Sequence, residues 1–308
     1  MRCLTALLIS LALIGCGVVD APPCAAGQCD PAPDCTAGEC GSVLPPDPID
    51  LSPRVISRSA VNEVKLPINS HQYGLDLDGD GIVDNQLGRL VATLKTFLPH
   101  VDLQAALSKR LAASKEKLIY DVSGRDGEPV RIATYVGKAV DATSFEIESQ
   151  KNATPVVNGK IKDGELTTDV GAGLLTIPLR EGGAVLTLRR ARIVAQVTDA
   201  GMRQGILVGA IPTKQASAHL AQLLADELHM QYVNPTQNAK TVTALRRGFD
   251  LNSDSEITAD EVRASALTGL LLSSADIDTD NDGLPDAISF GLAFTSTPCQ
   301  TKSTHVLR

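Results

Sequence analysis

The chain has 308 residues, enough for one large domain or two ordinary ones, and ample to bury a core. Aromatics make up 3 % and Trp is absent, so that core must be built from Val, Leu, Ile and Ala. The net charge is −8, but fourteen of the 36 carboxylates fall in three short stretches, leaving 22 acidic against 28 basic residues elsewhere, and no basic stripe with interleaved aromatics marks a nucleic-acid partner.

In chain order, residues 1–15 read as a signal segment: a basic start at Arg2, then an apolar run from Leu4 to Ile14 that is too short to anchor in a bilayer. Leu13-Ile14-Gly15-Cys16 resembles a bacterial lipobox, which implies cleavage before Cys16 and a lipid on its thiol. Gly17 follows rather than Asp, which leans toward the outer membrane if the cell is Gram-negative. Residues 16–60 read as a Cys- and Pro-rich tether. A hexapeptide repeats there, Cys24 to Cys29 and Cys35 to Cys40. Four cysteines allow three pairings, and the duplication favours Cys24–Cys29 with Cys35–Cys40; a four-thiolate metal site is the alternative. Cys299 is left over.

Residues 61–115 hold the first Asp-rich loop and a predicted helical hairpin. Asp76-Leu-Asp78-Gly-Asp80-Gly81-Ile82-Val-Asp84 fits D-x-D-x-D-G-x-x-D, with Ile82 offering its carbonyl and its side chain free to face the core. Gly81 permits the sharp turn. Leu87, Leu90, Val91, Leu94, Phe97 and Leu98 predict a helix that Pro99 ends, and Asp102 caps a second. Residues 116–212 turn to β texture, with candidate strands at 118–122, 130–137, 144–147, 159–161, 165–170, 174–179, 184–195 and 206–211 between hairpin signals such as Asn158-Gly159 and Asp163-Gly164. Alternation across 184–195 is imperfect. Residues 213–308 begin with a helix to about Gln231, on which His219 and His229 stand too far apart to share a metal.

The central loop follows. Val242, Leu245 and Phe249 predict an entering helix; Asp250, Asn252, Asp254, Glu256, Thr258 and Glu261 occupy positions 1, 3, 5, 7, 9 and 12; Val262, Ala266, Leu267, Leu270 and Leu271 predict a leaving helix. Residues 240–272 resemble an EF-hand. The resemblance implies side-chain oxygens from Asp250, Asn252 and Asp254, a carbonyl from Glu256, water through Thr258 and two oxygens from Glu261. Thr258 and Glu261 also make a capping box. The departure is Ser255, where position 6 calls for Gly. The last loop repeats the short pattern with Asp278, Asp280, Asp282, Gly283, Leu284 and Asp286, and starting it at Asp276 fits worse. The first and last loops resemble the calcium loops of thrombospondin type 3 repeats. Ile288, Phe290, Leu292 and Phe294 alternate as a strand returning to the β-domain.

The expected fold is α+β: an antiparallel β meander, as a sandwich or partly open barrel, flanked by an N-terminal helical hairpin and a C-terminal EF-hand-like helix-loop-helix. The expected function is a calcium-binding, lipid-anchored bacterial surface protein in which Ca2+ acts mainly structurally. A calcium-dependent adhesion or glycan-binding module is the alternative. The partners are then the membrane, through lipid on Cys16, and a cell-surface glycan or protein. No G-x-S-x-G, H-E-x-x-H or P-loop lysine motif is present, so an enzyme is not expected.

Overall fold

The computed structural model describes residues 55–147, 156–169, 175–178 and 185–303. The signal segment, Cys16 and the clustered cysteines Cys24, Cys29, Cys35 and Cys40 lie outside them.

The elements run β1 (Val55–Lys65), α1 (Gln86–Phe97), α2 (Leu103–Ala113), β2 (Glu116–Ser123), β3 (Pro129–Ala139), β4 (Ser144–Ile147), β5 (Val157–Lys162), β6 (Glu165–Thr168), β7 (Leu175–Pro178), β8 (Val185–Thr198) and β9 (Gly201–Pro212). Then come α3 (Thr213–Gln215), a π-helical turn (Ala216–Leu220), α4 (Ala221–Tyr232), α5 (Ala239–Phe249), α6 (Ala259–Ala264), α7 (Gly269–Ser273), β10 (Ala287–Pro298) and β11 (Gln300–Ser303).

Eight strands close a ring in the order β1-β2-β3-β5-β6-β8-β9-β10 and back to β1, every pair antiparallel. Of the two expected arrangements the barrel is the one formed, and it is closed rather than partly open. The pairs β3–β5 and β1–β10 complete it, which leaves these eight strands no free edge along the ring. β4 extends from the far end of β3, β11 runs parallel to β4, and β7 pairs with β8.

Period-2 alternation sorts each strand between two faces. In β2, Leu118, Tyr120 and Val122 enter the main core, while Ile119 joins a small outer cluster with Ala60 and Phe145. In β5 and β6, the outward Lys160, Lys162, Glu165 and Thr167 are exposed, so that this wall faces water. The imperfect alternation of β8 has a physical cause. Leu186 and Leu188 point inward at even positions, and Ala191, Ile193 and Ala195 at odd ones. Between them the register slips, and Arg190 stands at φ +49°. A bulge of this kind re-aims side chains and sharpens the local twist.

The helices cover the barrel interior. Leu90 and Leu94 of α1, and Leu98 at its C-cap, are 3 % exposed or less and join the same core as the inward barrel residues. Each such burial is worth roughly 1.5–3 kcal/mol. Asn85 caps α1 by accepting from the Gly88 amide (3.0 Å), and Asp102 caps α2 through Ala105 (2.9 Å). Strand β1 begins inside the stretch read as tether. The predicted leaving helix is broken: α6 stops at Ala264, α7 restarts at Gly269, and Leu270 is 71 % exposed while Leu272 is buried. Thr268 turns its hydroxyl back to the Val262 carbonyl at the break.

Candidate metal centres

All three loops share one backbone device. At positions 4 and 6 the chain is left-handed: Gly79 (φ +87°) and Gly81 (+84°) in the first loop, Ser253 (+62°) and Ser255 (+71°) in the central loop, Asn281 (+61°) and Gly283 (+88°) in the last. This conformation favours Gly and costs a side-chain-bearing residue about 1 kcal/mol. Ser255 therefore adopts the turn that the position demands, against its own preference. The turns bring carboxylates together. Within each of three sets, one carboxylate oxygen per residue lies within 4.8 Å of the others: Asp76, Asp78 and Asp84; Asp250, Asp254 and Glu261; Asp278, Asp280 and Asp282. Among the remaining expected ligands, Asp80 accepts from the Ile82 amide (2.7 Å), the Asn252 side chain donates to Asp254 (2.8 Å), and Glu256 is exposed. Thr258 is engaged in the capping box with Glu261.

The first and last loops are built alike. Asp76 accepts from the amides of Gly79 (2.6 Å) and Gly81 (2.9 Å); Asp278 accepts from Asn281 and Gly283 (both 2.8 Å). Asp84 accepts from Leu77 N (2.8 Å) as Asp286 does from Thr279 N (2.8 Å). Each loop is pinched shut by a bridge, Leu75 with Asp84 and Ile277 with Ala287. The side chains of Ile82 and Leu284 do not face the core. They are 56 % and 69 % exposed, because position 7 lies at the outer tip of each loop while Leu77 and Ile277 supply the inward anchors.

Those anchors set the two loops on the same barrel wall, packed with Val208 and Ala210 of β9 and Ala287 of β10. The β8 bulge reaches both. Arg190 donates to the Leu77 carbonyl of the first loop (3.4 Å) and to the Asn281 side chain of the last; Arg189 donates to Thr279 (2.8 Å) and Asp286 (3.1 Å). A buried chain ties them from behind. The Gln86 amide donates to Ser289 Oγ (2.7 Å), and Ser289 donates through its hydroxyl (2.5 Å) and amide (2.7 Å) to Asp276. Asn85 donates to Gln72 O (2.7 Å) and Gly291 O (3.2 Å). A side chain at Gly291 would strike the Tyr73 carbonyl. Burial, with the nearby charges of Asp78, Asp276 and Asp80, raises Asp84 to about 6 against the Leu77 amide, which lowers it; burial likewise raises Asp276. Uncompensated acidity of this kind is relieved by a cation.

The central loop is supported differently. Asp250 is 3 % exposed and follows α5 directly. Its Oδ2 accepts from Tyr232 of α4 (2.9 Å), a bond that also makes the Tyr232 hydroxyl a weaker acid. Its Oδ1 is buried and accepts no hydrogen bond among the described residues. Glu261, 7 % exposed, accepts from Leu251 N (2.8 Å), Asn252 N (3.3 Å) and Thr258 N (3.0 Å). His229 accepts from the Ile257 amide (3.3 Å), so it props the loop, while Ile257 itself packs in the main core.

Arg189, Arg190, Asp276, Ser289 and Tyr232 were not among the expected site residues. The Arg-Arg pair did leave a signal, because it interrupts alternation in the middle of an apolar strand. Asp276 left a second one: it is acidic, adjacent to a loop, and two residues ahead of the position at which the pattern starts. The donor set of all three loops is oxygen only, which fits a hard cation of the calcium class. Comparison of the chain with protein-family models, curated proteins and solved structures finds no match.

Proposed function

We infer that the protein is an exported, lipid-anchored, calcium-binding surface scaffold in which the cation acts structurally. The carrying observation is that Asp250 keeps a buried Oδ1 without a partner among the described residues, while one of its carboxylate oxygens lies within 4.8 Å of those of Asp254 and Glu261, on the left-handed turn that recurs in the other two loops. An apolar setting does not leave an ionised carboxylate oxygen without a donor or a cation at no cost. In this reading the central loop is EF-hand-like, held by Asp250, Asn252, Asp254, Glu256, Thr258 and Glu261. Asp76, Asp78, Asp80, Ile82 and Asp84 hold a second ion, and Asp278, Asp280, Asp282, Leu284 and Asp286 a third. Bound calcium would neutralise the clustered carboxylates and fix the loops that hold β10 and α1 to the barrel. Sites of about 10⁻⁴–10⁻³ M suffice outside the cell. Cys16 would carry the lipid.

The test is calorimetric titration of the mature protein with calcium, paired with thermal melts in calcium and in chelator. Two or three binding events and a lower Tm in chelator are expected. No binding heat together with superimposable melts overturns the reading.

A further inference from the structure

The barrel interior is not filled to the top. Between α1, α2, α4 and the inward strand residues lies a cavity of about 240 Å³. Its wall is almost wholly apolar, with three polar exceptions: Tyr120, Arg110 and Glu227. Helix α2 marks its outer side. Leu103, Ala106, Leu107 and Leu111 share one face of α2 and line the cavity, yet none is fully buried. The helix is held at its ends instead. Gln104 bonds the backbone at the end of β1, donating to Val64 O (2.8 Å) and accepting from Leu66 N just beyond the strand (2.7 Å), and Lys117 reaches the Leu111 carbonyl.

Tyr120 supplies the independent observation. It is 0 % exposed, its ring packs against Phe294 at 5.1 Å between centroids, and its hydroxyl has no hydrogen-bond partner among the described residues. Buried Tyr hydroxyls find partners, and leaving one without is costly. Arg110 and Glu227 face each other across α2 and α4 at 3.8 Å, too long for a hydrogen bond. They balance each other's charge, so the lining as a whole is neutral, and no lone cation offers itself to a carboxylate.

We propose that this cavity binds an uncharged aliphatic molecule bearing one oxygen, of the fatty-alcohol class, with the Tyr120 hydroxyl as its hydrogen-bond partner. At roughly 20–30 Å³ per heavy atom, near the ~30 Å³ that a water occupies in the liquid, the space holds about eight to twelve heavy atoms. An eight-stranded barrel is wide enough for one such ligand. The apolar wall supplies the driving force, and the single oxygen supplies orientation. The site is independent of calcium: none of its residues belongs to the three loops.

The experiment titrates the full mature protein in calcium with 1-decanol, decane and decanoate, reading binding by native mass spectrometry and by the rise in Tm. Decanol is expected to bind more tightly than decane and decanoate. Tyr120→Phe, which removes only the oxygen, should weaken decanol about fivefold and leave decane unchanged. Leu107→Trp, which fills the space from α2, should abolish both while the circular dichroism spectrum stays native. Equal binding of decanol and decane, equal binding of decanol to wild type and Tyr120→Phe, or tightest binding of decanoate would each overturn the proposal. So would a protein that binds none of the three.

Discussion

In the first and last Asp loops the leading Asp is held by the loop's own amides, whereas in the central loop the leading Asp takes its support from a helix. In the outer two, the leading Asp is tied by the left-handed residues that follow it, at Gly79 and Gly81 or at Asn281 and Gly283. In the central loop the leading Asp is buried, leans on Tyr232, and keeps one oxygen unpartnered. Under the proposed function, the difference means that a shared sequence pattern encodes two degrees of reliance on a cation. A loop closed by its own backbone retains its form when the ion leaves. A loop that has sunk a carboxylate into the core does not do so without cost.

The largest expected effect tests that contrast directly. Asp250→Ala should remove the central site, costing about 2.7 kcal/mol at a calcium concentration 100-fold above Kd, or about 5–10 °C in Tm. In chelator the same variant should match or exceed wild type, because the unpartnered oxygen has gone. Asp76→Ala, by contrast, should melt lower than wild type even in chelator, since the amides of Gly79 and Gly81 lose their acceptor. Identical behaviour of the two variants in chelator would erase the distinction. Next in size is Asp276→Ala. It strands the Ser289 hydroxyl behind both outer loops and should cost about 1–3 kcal/mol. Calorimetry should show the two outer sites weakened and the central one untouched.

Ser255→Gly works in the opposite direction. Relieving a left-handed Ser should tighten the central site about fivefold, from roughly 1 kcal/mol of backbone strain. Arg190→Ala should change stability by less than about 1 kcal/mol, as is usual for a partly exposed charged contact. Faster amide exchange should nevertheless appear in residues 76–84 and 278–286 and not in 250–261. The smallest effect lies outside the loops. Cys299 is half-buried, and burial foremost pushes its thiol up to about 11. A raised thiol contributes stability that is present below its ordinary value and lost as pH climbs toward 11. Alkylation at pH 8, mapped by mass spectrometry, should therefore be slower at Cys299 in the folded protein than in urea.

What could be read from the sequence was local. Left-handed turns, the Asp102 cap, the Thr258–Glu261 capping box and most strands are specified by residues within four or five positions of one another, and these formed as expected. Of the long-range features, the return of the 288–294 strand to the β-domain was read, but its partners were not. Closure of the barrel depends on β1 meeting β10, more than two hundred residues apart. Strand β1 was hidden because its own register slips between Val61 and Glu63, which breaks the alternation that would have announced it. The same cause blurred β8 at Arg190 and β9 at Gln204, both left-handed. Helical spacing over Val262–Leu271 suggested one helix, but Thr268 bonding back to Val262 outcompeted the helical ladder. The partners of the acidic loops, Arg189 and Arg190, were visible only as a fault in a pattern.

The seam between β1 and β10 carries a consequence for how the protein comes into being. β10 follows the other seven barrel strands in chain order, so the ring stays open until all of them have been delivered. Pairing across such a separation is intrinsically slow, and an open ring exposes strand edges meanwhile. The last Asp loop immediately precedes β10, and the first Asp loop leads into the helix that packs on it. In the proposed reading, a chain exported unfolded meets abundant calcium just as these loops emerge. The cation would then act first as an assembly signal, seating the final strand, and only afterwards as a staple.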